Sequence, residues 1–161
     1  MRTAIVYYSL SGNTAYAAEL AAKELEATLI PITPVKPYPV KGLAKFLHGG
    51  KSAAAGEEPE LVPYTFNAEE YDAVVLAFPV WASNIVPPIR TFVSENRDAL
   101  QGKRTAALAC FMGGGANKAF DKLKTLLGKN LSAELALIDP LKKPSEENAA
   151  RIKDFCEKLN G

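Results

Sequence analysis

The feature that most constrains the fold of this chain is a set of short, wholly apolar runs that alternate with helical patterns. After Asp72 the chain reads Ala73-Val74-Val75-Leu76-Ala77-Phe78 without a polar break, and Pro79 stops the run. A strand with one wet face alternates apolar and polar residues. A run that is apolar throughout belongs to a strand buried on both faces, as in a parallel sheet covered by helices on each side. Similar runs lie at Thr3–Tyr8, Thr28–Ile32, within Lys103–Phe111, and at Ala133–Ile138. Between them, Ala15–Leu25, Pro87–Leu100 and Lys118–Leu127 carry helical spacing. The second of these has proline in its first turn, and the third ends near Gly128. A last helix opens at Pro144-Ser145-Glu146-Glu147, with Ser145 as its N-cap. Five strands alternating with helices, and no internal repeat, predict one α/β domain over residues 1–161 with a parallel, doubly wound sheet.

One stretch breaks the alternation. Residues 33–68 hold Pro34, Pro37, Pro39, Pro59 and Pro63; a short helix near Gly42–Leu47 and then a small-residue segment, Gly49–Gly56, are expected. Irregular stretches this long are usually functional or mobile.

In doubly wound sheets ligands sit beyond the carboxyl ends of the strands, where the strand order reverses. Attention therefore falls on the segments after strands one, three and four: Ser9–Thr14, Pro79–Asn84 and Cys110–Asn117. The first reads Ser9-Leu10-Ser11-Gly12-Asn13-Thr14, directly before a helix. A helix N-terminus offers free backbone N–H groups and the positive end of the helix dipole. Gly12 permits close backbone approach and unusual dihedral angles; Ser9, Ser11 and Thr14 add hydroxyls, and Asn13 an amide. The segment lacks Lys and Arg and has neither nucleotide-loop glycine spacing, so a nucleoside triphosphate and a dinucleotide pyrophosphate are both disfavoured. A nest made only of hydroxyls and amides suits one terminal phosphate monoester. The same residue types also form ordinary N-cap clusters, so a purely structural role fits them as well.

The run Tyr8-Ser9-Leu10-Ser11-Gly12-Asn13-Thr14 resembles the phosphate-loop signature of the flavodoxin family, and strand sequence, loop positions and length agree over nearly the whole chain. The segments Lys45-Phe46-Leu47, Gly49-Gly50 and Pro79-Val80-Trp81 resemble the broad group of flavodoxin-like proteins more than the acidic electron carriers. The resemblance implies a three-layer α/β/α sandwich with strand order 2-1-3-4-5, and FMN held non-covalently with its phosphate on the first loop.

The flavin ring is flat, aromatic and amphipathic, so its site needs apolar faces and backbone polar groups at the pyrimidine edge. Pro79-Val80-Trp81-Ala82 is one candidate wall, with Trp81 the sole tryptophan; Trp81 would equally serve as a cap on the core edge. Phe111-Met112-Gly113-Gly114 is the other, its glycines allowing close approach or simply making a mobile turn. This loop has no tyrosine, where flavodoxins often place one. The loop after strand three has no glycine, so a positive φ there costs a non-glycine residue about 1–2 kcal/mol, and Asn84 tolerates that region best. In the family a loop carbonyl turns toward the reduced flavin. A costly turn therefore biases the expectation toward two-electron chemistry.

The remaining residues narrow the function. The formal net charge is +1 and no basic stripe stands out, which disfavours nucleic acid. Lysines thicken at Lys36, Lys41, Lys45 and Lys51, and at Lys142 and Lys143, and are read as solvated faces. Cys110 and Cys156 are far apart in sequence, so neither a disulfide framework nor a zinc site is expected; Cys110 reads as a small buried hydrophobe. His48, the sole histidine, reads as a surface residue, and no metal or nucleophile–base cluster is expected. Met1-Arg2 runs straight into an apolar strand-like run, and no stretch of about 18 apolar residues occurs, so a cytoplasmic protein away from membranes is expected. The expected role is electron transfer between redox partner proteins or to a small-molecule acceptor. The alternative is a small NAD(P)H-dependent FMN oxidoreductase acting on a quinone or similar acceptor. A signalling receiver domain would need acidic residues where Tyr8-Ser9 and Phe78-Pro79 stand.

Overall fold

The computed structural model describes residues 1–161, with only the side chains of Lys45 and Phe46 outside the description. The strands are β1 (Thr3–Tyr7), β2 (Thr28–Pro31), β3 (Ala73–Pro79), β4 (Arg104–Phe111) and β5 (Ala133–Ile138). The helices are α1 (Asn13–Leu25), α2 (Gly42–Ala55), α3 (Pro87–Gln101), α4 (Ala116–Leu127) and α5 (Glu146–Asn160). All strand pairs are parallel, in the order β2-β1-β3-β4-β5. The chain thus reverses direction across the sheet between β1 and β3, which opens a crevice at their carboxyl ends.

The wholly apolar strands are buried as their composition requires. Ile5, Val75 and Leu108 pack with α1 and α5 on one face; Val6, Val74, Leu76 and Ala107 pack with α3 and α4 on the other. On α1 that inner stripe is Ala17, Ala18, Ala21 and Ala22, whose small side chains let the helix lie close to the sheet. Ser145 caps α5 as expected, its hydroxyl accepting from the Asn148 N–H at 3.1 Å.

Two differences from the sequence reading bear on the site. The helices α1 and α4 begin at Asn13 and Ala116, two residues earlier than Ala15 and Lys118, because Gly12 (φ 91°) and Gly115 (φ 87°) take left-handed conformations as their N-caps. Asn13 and Thr14 therefore belong to the first helical turn. Second, α2 does not stop near Leu47 but runs through Gly49-Gly50 for 14 residues. Glycine costs about 1 kcal/mol in a helix interior, but here packing overrides propensity. A Cβ on Gly49 would lie 3.0 Å from Cε3 of Trp81, so only glycine lets α2 press against that ring. The rest of the 33–68 excursion is tied down: Val35 and Val62 N–H groups bond to Glu60 and Thr33, and the Thr91 hydroxyl donates to the Pro59 carbonyl at 2.8 Å.

Candidate functional site

A cavity of about 550 Å³ opens where the topology predicts, bounded by the loops after β1, β3 and β4. Its volume lies in the range of sites for drug-sized ligands. One end is formed by Leu10, Ser11, Asn13 and Thr14. The first helical hydrogen bond here runs from Tyr16 N–H to the Gly12 carbonyl at 3.0 Å, and no side chain caps Gly12. The N–H groups of Asn13, Thr14 and Ala15 thus meet no protein acceptor among the described residues. That decides against the plain N-cap reading of the segment, in which these side chains would satisfy the helix terminus.

The side chains of the first loop divide their labour. Ser9 and Gly12 do not line the cavity; the Ser9 hydroxyl accepts from the Gly12 N–H at 3.2 Å and shapes the loop. The Asn13 side chain is committed to the loop after β5: its amide donates to Asp139 at 3.3 Å, and its oxygen accepts from the Leu141 N–H at 3.0 Å. Leu141 in turn covers Gly12, where a Cβ would lie 3.1 Å from Cδ2 of the leucine. Thr14 is buried beside Cys110, and burial pushes the Cys110 thiol up to about 12, with the Thr14 hydroxyl opposing and the Asp139 charge adding to the rise. Cys110 is therefore a protonated, poorly nucleophilic floor to the cavity.

The other end is apolar and rich in backbone. Pro79, Val80, Trp81 and Ala82 come from the loop after β3, and Phe111, Met112, Gly113 and Gly114 from the loop after β4. Trp81 packs at the core edge, its ring meeting Tyr8 and Tyr38 edge-on at 5.8 and 5.1 Å, and it also lines the cavity. The loop after β3 closes as a tight turn, with the Asn84 N–H donating to the Trp81 carbonyl at 2.9 Å. Ala82 (φ 49°) and Ser83 (φ 56°) both take positive φ, so the strain falls on these two and not on Asn84. Each such residue costs about 1–2 kcal/mol.

Further lining residues escaped the sequence reading. Gly50 comes from α2 and Asp139 from the loop after β5, neither of which lies in the three switch-point segments. Ser83, Cys110 and Gly115, which do lie within the segments Pro79–Asn84 and Cys110–Asn117, also line the cavity. His48 lies outside the cavity, exposed beside the Tyr38 ring at 5.8 Å, and Lys36, Lys41, Lys51, Lys142 and Lys143 are exposed. The Lys45 and Phe46 side chains of the same cluster lie outside the described residues. No His/Cys/Asp/Glu group suited to a metal occurs among the described residues, and no helix is long and apolar enough to cross a membrane.

Comparison with known proteins converges on one family. A family model described as flavodoxin matches residues 2–140. No curated protein sequence matches the chain. Among solved structures, a candidate flavoprotein from Bacteroides eggerthii DSM 20697 is similar at 20% identity and a TM-score of 0.78, covering 99% of this chain and 98% of that one. A flavoprotein from Lactobacillus acidophilus NCFM, solved in complex with FMN, is similar at 19% identity and a TM-score of 0.72, covering 88% and 95%. The flavodoxin of Streptococcus pneumoniae TIGR4 is similar at 18% identity and a TM-score of 0.61, covering 99% and 98%. At these identities the likeness is one of fold.

Proposed function

The chain belongs to the flavodoxin family, and on that premise we propose that it binds FMN in the switch-point cavity and serves as an electron-transfer protein. One observation carries the reading. The cavity joins an end lined by Asn13 and Thr14, whose N–H groups, like that of Ala15 next to them, meet no acceptor among the described residues, to an end walled by Trp81, Phe111 and Met112. A phosphate monoester needs donors and gains from a helix N-terminus; a flavin ring needs apolar faces and backbone groups at its edge. In this reading Ser11 and Thr14 add hydroxyls at the phosphate, and Ser9 and Gly12 act by shaping the loop. Gly113 and Gly114, open to close approach, present backbone to the ring's polar edge.

Bound FMN supplies the capacity to take up and release electrons. The side chains of this chain bind and orient it, and the titratable groups that line the cavity are already committed. Cys110 stays protonated, and Asp139 accepts from Asn13. Binding groups without a free acid–base pair fit a carrier. The oxidoreductase reading drew on the cost of a positive-φ turn after β3, and that cost is already met in Ala82 and Ser83. The deciding experiment mixes FMN-loaded protein with NADH and with NADPH in a stopped-flow spectrometer. A carrier leaves the flavin absorbance unchanged over many seconds. Rapid bleaching by either nucleotide, with turnover on a quinone, makes the protein an oxidoreductase instead.

A further inference from the structure

The turn at residues 81–84 is strained, and its strain needs a holder. A tight turn with two non-glycine residues at positive φ persists only where its surroundings over-determine it. A contact from α4 does so, and the glycine at the α4 N-cap leaves room for it. The side chain of Asn84 is buried; its amide donates to the Ala82 carbonyl at 2.7 Å, and its oxygen accepts from the Lys122 ammonium at 2.5 Å. On the other side Ser83 occupies the space a side chain on Gly115 would need: a Cβ there would collide with the serine Oγ. Lys122 sits on the exposed side of α4 and does not line the cavity.

We propose that Lys122 is a positioning residue for the cofactor: through Asn84 it holds the 81–84 turn in its left-handed form, so that Trp81 and Ala82 stand ready against the flavin ring. The proposal rests on the FMN reading above. The chemistry is directional. An ammonium bound to the amide oxygen polarises the Asn84 side chain, which strengthens the N–H bond it makes to the Ala82 carbonyl. Asn84 can span the two because its side chain carries both an acceptor and a donor. Without the cation the Asn84 oxygen is left buried and unpaired, and the turn is free to relax toward negative φ.

The test uses Lys122→Met, which keeps the stem and removes the charge, and Lys122→Arg, which restores a cationic donor. In ligand-free protein, NMR hydrogen exchange at the Asn84 N–H should quicken about tenfold in Lys122→Met and stay near the parent rate in Lys122→Arg. In titrations, Lys122→Met should weaken FMN and riboflavin by the same factor, about tenfold, or about 1.4 kcal/mol, because the turn faces the ring and not the phosphate. The flavin spectrum in the weakened complex should shift with it. Unchanged exchange at Asn84 overturns the proposal whatever binds. So does faster exchange with unchanged flavin affinity, or a loss confined to FMN. If the parent protein binds neither flavin while exchange responds as stated, the cofactor reading fails and the clamp on the turn stands.

Discussion

Removing the phosphate from the ligand tests the geometry of the site most directly. The three N–H groups at the start of α1 have no partner among the described residues, and riboflavin offers them none. A hydrogen bond to a charged group contributes about 1.5–3 kcal/mol. If a phosphate engages two of the three at the lower figure, FMN gains about 3 kcal/mol over riboflavin; if it engages all three, about 4.5 kcal/mol. At tenfold per 1.4 kcal/mol, FMN should bind about 10² to 10³ times more tightly. The Asp139 carboxylate at the same end of the cavity works against this, so the lower part of the range is the firmer expectation. Trp81, the sole tryptophan, lines the opposite end and reports on ring binding with either ligand. Its fluorescence should be quenched by both, at concentrations about two orders of magnitude apart. Inorganic phosphate should compete with FMN and leave riboflavin binding unchanged, since it occupies only the N–H groups. Equal dissociation constants for the two flavins would refute the assignment of the α1 terminus to the phosphate.

Three further outcomes follow from packing and charge. Gly50→Ala should stabilise the protein by about 0.5–1 kcal/mol, because its Cβ would meet only Ala82 at an ordinary 3.8 Å. Gly49→Ala should lose that gain to the Trp81 ring at 3.0 Å and weaken flavin binding by displacing it; equal stabilisation in urea unfolding would show that Trp81 is not held against α2. In alkali, burial raises the thiols of Cys110 and Cys156 from 9.0 to about 12, so each group's contribution is fully present below pH 9 and is lost as pH rises toward 12. Unfolding free energies from urea titrations should fall across that window by up to about 1.36 kcal/mol per pH unit and group, and the fall should be shallower in Cys110→Ala; parallel curves for variant and parent would contradict it.

The parallel sheet was legible because burial on both faces leaves no choice of residue type: runs such as Ala73–Phe78 and Ala106–Ala109 can lie nowhere wet. The three switch-point loops were legible for a related reason. Once the parallel sheet is read, its switch point marks the ends of strands one, three and four, and the segments after strands one and four are also written in glycine, serine, threonine and asparagine. Only the tertiary structure decided what the individual groups do. Asn13 reads as a ligand of the phosphate, yet its side chain binds the loop after β5, more than a hundred residues away in the chain. The sequence predicts a short helix near Gly42–Leu47 and a small-residue segment from Gly49, yet α2 runs through Gly49 and Gly50 because Trp81 lies against Gly49. Local preference disfavours positive φ at Ala82 and Ser83; Asn84 and Lys122 hold them there, and Gly115, having no Cβ, leaves them room. Each of these outcomes turns on a contact between segments distant in sequence, and local propensities of about 1 kcal/mol per residue yield to such contacts.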